Sequence, residues 1–330
     1  MESAFDVGKL IFGIAILYWG AEWLIRGSAA IARTFGVKPL VVGLTVVAYG
    51  MSAPELAVAT KTALEHAQPI ALGTVIGSCA ANISLILGLT ALISPPTIDS
   101  RIIRREVPVL IGSAIAVPIL FRNGVLSRLE GCLLVACAVV FTIATLTISA
   151  RLEPDDESED GEARTRAEES GATLGGKARP RSGRTASFMM TVLGIILLVV
   201  GSKFFVEGAR HIGAQAGMSE RMIGLTIVAL GTSLPELMGS LLAASRGHSA
   251  LAVGSVVGSN LLNVFLVLGV TACLRPIHLG ERMHLVDLIG LVVLTLLGVI
   301  VLRGSRKISR LEGAMLVAAY IGFIVCCAIF

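Results

Sequence analysis

GLTVVAYGMSAPEL (Gly43 to Leu56) returns 181 residues later as GLTIVALGTSLPEL (Gly224 to Leu237). The register then runs without a gap to Leu92, and 22 of the 50 positions from Gly43 match their partners, so the chain carries an internal duplication. Gly77-Ser78 with Asn82 reappears as Gly258-Ser259 with Asn263. SRLEG at Ser127 to Gly131 reappears at Ser309 to Gly313, displaced by one further residue.

The duplicated material is membrane material. Of 330 residues, 55% are hydrophobic and 15% charged, against about 25% charged in ordinary soluble domains. Sixteen of the 50 charged residues fall between Arg151 and Arg184, which leaves the remainder almost bare. A bilayer core about 30 Å thick needs roughly 20 apolar residues in helical form. Ten such runs are read near 10–32, 39–64, 70–93, 107–121, 129–150, 188–212, 222–244, 251–274, 285–302 and 311–330. The expected fold is an all-α integral membrane protein, ten transmembrane helices in two five-helix repeats.

The halves divide as 1–150 and 188–330, with the repeat proper at 39–93 and 220–274. Between them, 151–187 is rich in Glu, Asp, Arg, Gly and Ser and reads as a disordered charged linker. A net charge of +4, with its basic residues at span ends, gives no nucleic-acid surface. The six cysteines lie in apolar runs without zinc-site spacing, and all but Cys79 read as small buried apolar groups. Glu2 and Asp6 precede the first apolar run, which reads as a span and not a cleaved leader.

Five spans per half is an odd number, so equivalent segments run in opposite directions. Inverted repeats of this kind place a site near the bilayer midplane, where the halves meet. Short loops on one side hold ten basic residues, Arg104 and Arg246 among them, and those on the other hold seven. The positive-inside rule then puts the linker in the cytoplasm and the termini outside.

Glu55 and Glu236 are mid-span acids at matched repeat positions. A carboxylate at membrane depth costs at least a few kcal/mol and marks an ion or proton path. Glu22 and Glu207, near span ends, read as peripheral by comparison. Each central glutamate follows a proline, Pro54 or Pro235, which interrupts the helical ladder and frees a carbonyl, a ready cation ligand. Ser52, Thr232 and Ser233 add hydroxyls. Ser78 with Asn82, and Ser259 with Asn263, sit four apart on one helical face. Gly73 with Gly77, and Gly254 with Gly258, read as helix-packing pairs. Two carboxylates among neutral oxygens suit calcium, and sodium can use the same atoms; His or Cys ligation for zinc or copper is missing there.

The motifs GTSLPE (Gly231 to Glu236) and GSNLLN (Gly258 to Asn263) resemble the alpha-repeats of the cation/calcium exchanger superfamily, the sodium/calcium exchangers and their bacterial relatives. The resemblance implies a calcium/sodium antiporter of the cell membrane, working by alternating access, with calcium and sodium as transported ions and no cofactor. It implies that Glu55 and Glu236 ligate calcium and that Ser52, Ser78, Asn82, Thr232, Ser233, Ser259 and Asn263 complete the cation sites. The first repeat departs from the family at two places. Met51 stands where Thr is usual, contributing at most its carbonyl, and Cys79 stands where Asn is usual. Calcium/proton exchange stays open beside sodium/calcium exchange. A channel fits inverted repeats poorly, and an intramembrane enzyme lacks HExxH or a Ser-His pair at depth.

Overall fold

The computed structural model describes residues 2–35, 39–65, 68–100, 102–151, 184–215, 217, 226–227, 229–279, 285–304 and 306–329. Among the described residues, helices lie at each of the ten expected positions. They are α1 (Glu2–Phe35), α2 (Leu40–Leu64), α3 (Ala71–Ile93), α4 (Val107–Leu120), α5 (Arg128–Arg151), α6 (Arg184–Gln215), α7 (Leu234–Ser245), α8 (Ser249–Leu274), α9 (Leu285–Gly304) and α10 (Arg310–Ile329). Among the described residues, eight are long and apolar enough to cross a membrane; the described parts of α4 and α7 are shorter. A π-turn, Ile102–Glu106, extends the helical run of α4, and Ala229–Thr232 precedes α7. Arg184 already belongs to α6, so the second half begins before residue 188. The charged segment over 152–183, and with it the linker reading, lies outside the described residues.

The outer surface is apolar, as lipid demands: Leu129, Leu133, Val140, Ile300 and Leu311 are among the exposed large side chains. Buried polar groups collect inside, on α2, α3, α7 and α8. Cysteine placement departs from expectation, since only Cys79 and Cys327 are buried and Cys132 is exposed on this apolar surface.

Glycine spacing explains how the first span of each half finds the other. A Cβ on Gly13 would lie 2.9 Å from the Phe205 nitrogen, one on Gly20 2.8 Å from that of Leu198, and one on Gly27 2.6 Å from that of Thr191. Each step of seven up α1 is a step of seven down α6, so the two helices are antiparallel and backbone-close, as an inverted repeat requires. Gly20→Leu should therefore force the pair apart, because the obstructing atoms are backbone. The expected result is a loss of several degrees in melting temperature and of monodisperse yield, while Gly322→Leu, with open space around it, should be tolerated.

The halves also clasp each other at both ends. β1 (Val125–Leu126) pairs antiparallel with β2 (Ile277–His278), and Leu279 N–H donates to the Gly124 carbonyl at 2.7 Å. At the equivalent place Thr97 bridges Lys307, and Ile98 N–H donates to the Arg306 carbonyl at 2.8 Å. The two joints exchange under the repeat offset. Beside them, a Cβ on Gly88 would meet the Gly313 carbonyl at 2.8 Å, and one on Gly131 the Gly269 carbonyl at 2.8 Å. Thus α3 packs on α10 and α5 on α8, each across the repeat boundary.

The repeated SRLEG now has a physical reading. Ser127 N–H and Oγ donate to Glu130 Oε2 at 2.8 and 2.7 Å, and Glu130 N–H donates back to Ser127 Oγ at 3.3 Å. Ser309 and Glu312 repeat the arrangement at 2.7, 2.7 and 3.2 Å. These are capping boxes that start α5 and α10. The following glycine, Gly131 or Gly313, is the close-contact residue just described.

Candidate cation site

Proline fixes where the site's helices break. Pro54 and Pro235 lack an N–H and cannot bond the fourth residue back, so the helix pauses just before them. Ser52 leaves helical geometry at φ −76°, ψ 2°, and Ser233 at φ −86°, ψ 4°. A new helical segment starts immediately after each, with Glu55 or Glu236 in its first turn. There the unpaired N–H groups and helix dipole favour negative charge. Both glutamates are fully enclosed, at 0% exposure.

The two repeats then cross-link around them. Ser233 Oγ donates to Glu55 Oε1 at 3.1 Å, from one half to the other. Ser78 and Thr232 face the same carboxylate, and their hydroxyls lie 3.5 Å apart. Ser259 faces Glu236, and the Glu55 and Glu236 carboxylates are within electrostatic reach of each other. The Cys79 thiol donates to the Asn260 carbonyl at 3.8 Å. Those two positions are equivalent in the repeats, so the pseudo-twofold axis passes between them.

Asn82 and Asn263 sit on matched π-turns, Ala81–Ile86 and Asn263–Leu268. A π-turn re-aims side chains and is common at functional sites. The turn bearing Asn82 packs against α7, and the one bearing Asn263 against the second segment of α2.

This neighbourhood holds oxygens that the protein leaves unbonded. Ser52 Oγ, Glu55 Oε2, both Glu236 carboxylate oxygens, Ser259 Oγ, Asn260 Oδ1 and the side-chain amides of Asn82 and Asn263 are buried without a hydrogen-bond partner. Each orphaned buried polar group costs about 1–3 kcal/mol. A hard, oxygen-seeking cation of the calcium or sodium kind matches such a donor set.

Nine of the ten expected site residues belong to this neighbourhood. The Met51 side chain does not. It packs in an apolar cluster with Leu17, Ala21 and Leu24 of α1, and its methyl occupies the space a Cβ on Gly239 would need. The first repeat has Val58 at the position equivalent to Gly239, so a large residue at 51 is matched by a small one at 239. Asn260 joins the site although it was not among the expected ligands; its signal was its place in Gly-Ser-Asn, where the first repeat has Cys79. Glu22 is also misplaced by the sequence reading. It is 3% exposed and bonded to Arg26 on its own helix and to Arg246 at the end of α7.

Known proteins give the same picture. The chain is 34% identical to CaxA of Alkalimonas amylolytica over 95% of its own length and 96% of that protein's. It is 29% identical to the sodium/calcium exchanger MaX1 of Methanosarcina acetivorans over 96% of both. A structure of the sodium-calcium exchanger NCX_Mj, soaked with sodium and strontium, superimposes with a TM-score of 0.79 at 32% identity, covering 98% of both chains. The family described as sodium/calcium exchanger protein matches residues 6–147 and 186–328, one block per half. Inverted halves, broken helices and paired glutamates thus converge with these likenesses, and the chain is a member of the sodium/calcium exchanger family.

Proposed function

We propose that this protein exchanges calcium for sodium across the cell membrane by alternating access. The observation that carries the reading is the pair of fully buried carboxylates at the broken helices, amid hydroxyl and amide oxygens without protein partners. Two negative charges balance one calcium or two sodium ions, so the ions compete for one cavity. An emptied cavity with two bare carboxylates is costly to reorient through lipid; a loaded one is not. This asymmetry couples the two fluxes.

In this reading Glu55 and Glu236 are the shared calcium ligands. Ser52, Ser78, Asn82, Thr232, Ser233, Ser259 and Asn263 provide neutral oxygens, and position 51 contributes only its carbonyl. The segment 151–187 faces the cytoplasm and both termini face outward. The decisive experiment is calcium uptake into proteoliposomes containing the full chain, driven by an imposed sodium gradient and then by a pH gradient. Uptake with sodium alone supports the proposal; uptake with protons alone replaces it with calcium/proton exchange.

The two first-repeat departures should separate in their effects. Met51→Thr removes volume from an apolar cluster and should cost about 2 kcal/mol of stability, read as a lower melting temperature. Cys79→Asn places an amide opposite Asn260 and near both glutamates. It should shift sodium dependence while moving calcium affinity less than about tenfold, or 1.4 kcal/mol. A calcium shift beyond that with sodium dependence fixed would count against the assignment.

A further inference from the structure

We infer that Cys132 and Cys273 form an oxidation site, a thiol pair that closes to a disulfide and staples the first half to the second. Their sulfurs lie 3.3 Å apart on α5 and α8. The backbones are already in contact beneath them, since a Cβ on Gly131 would stand 2.8 Å from the Cys273 nitrogen. Closing to a bond therefore asks for a small side-chain adjustment and no helix movement. Cys132 is uncovered by protein and Cys273 half-buried, and both lie within about one turn of the charged ends of their helices at Arg128 and Arg275.

A cavity with a charged and polar lining opens beside the pair. Its volume is about 440 Å³, and it is lined by Arg128, one turn before Cys132, and by Leu274 and Arg275, which follow Cys273. The equivalent contact at the opposite end of the molecule pairs Leu92 with Ala314, so of the two equivalent contacts this one alone pairs two cysteines. On the orientation proposed above this end is outside, where disulfides persist. The chemistry is thiol–disulfide exchange with a disulfide oxidant. One cysteine thiolate attacks the oxidant and expels a thiol; the second thiolate displaces the other. One S–S bond forms in the protein, the oxidant is reduced to two thiols, and the protein loses two protons and two electrons.

The bond would close a loop from 132 to 273, which restrains the unfolded chain. The test uses the purified full-length protein and oxidised glutathione, and is independent of orientation. Non-reducing digestion and mass spectrometry should recover a Cys132–Cys273 peptide, and the melting temperature should rise by several degrees and fall back on reduction. Cys132→Ser and Cys273→Ser should each abolish both responses, while a variant with Cys79, Cys137, Cys326 and Cys327 replaced by alanine should keep them. Should that variant fail to fold, the peptide from the wild-type chain still decides. Both thiols remaining open to alkylation after oxidation, or linkage to another cysteine or another chain, would overturn the inference.

Discussion

Glu236→Gln should abolish sodium-driven calcium uptake, and Glu55→Gln should do the same. The amide preserves shape and one carbonyl oxygen but removes a charge and the bidentate grip on a divalent ion. Calcium is then left facing one carboxylate in a cavity without bulk water. Losing one partner of a buried charge pair costs about 3–5 kcal/mol, more than a hundredfold in binding. In the proposed exchange the glutamates share one ion, so the double variant should be little worse than either single. Glu207→Gln is the appropriate control, being half-exposed and only loosely paired to Lys9 at 3.7 Å. Full uptake by well-folded Glu236→Gln protein in liposomes would return both residues to a structural role.

The second large effect is on stability and arises from Glu22. Its carboxylate is 4% exposed and holds two guanidiniums, one of which, Arg246, ties α1 to the end of α7. Glu22→Gln strands both cations, which are 49% and 34% exposed and can partly turn to water. The expected cost is about 2 kcal/mol, below the full penalty for breaking a buried pair. Arg246→Met should cost less, because Arg26 still serves the carboxylate. Melting temperatures would rank the two variants. An unchanged melt for Glu22→Gln would mean that the ion pair is no stronger than a surface one.

Much of this architecture was legible because lipid punishes exceptions. Glu55 and Glu236 stood out as acids in apolar runs, and Pro54 and Pro235 pointed to the breaks, which fall two residues earlier, at Ser52 and Ser233. What escaped the sequence reading depends on partners far along the chain. The apolar seat of the Met51 side chain depends on Gly239, a residue of the other repeat. Glu22 looked peripheral because its distance from the span end was known and Arg246 was not. The π-turns at Asn82 and Asn263 shift the backbone ladder by one residue, and no residue type announces such a shift. Cys132 was read as interior because apolar periodicity in a membrane does not distinguish a neighbour helix from lipid.

The reciprocal clasps at Thr97–Lys307 and Val125–His278 have a consequence for biogenesis. The first half is not finished when its own synthesis ends, because its third and fifth helices keep open glycine faces and its loops keep open strand edges until the second half is inserted. The molecule is in this sense a dimer whose subunits share one covalent thread. Two separately translated pieces, severed anywhere within 152–183, should find each other in the membrane and restore one assembly. The same geometry suits an ancestor in which two identical copies inserted in opposite senses and joined head to tail by gene fusion.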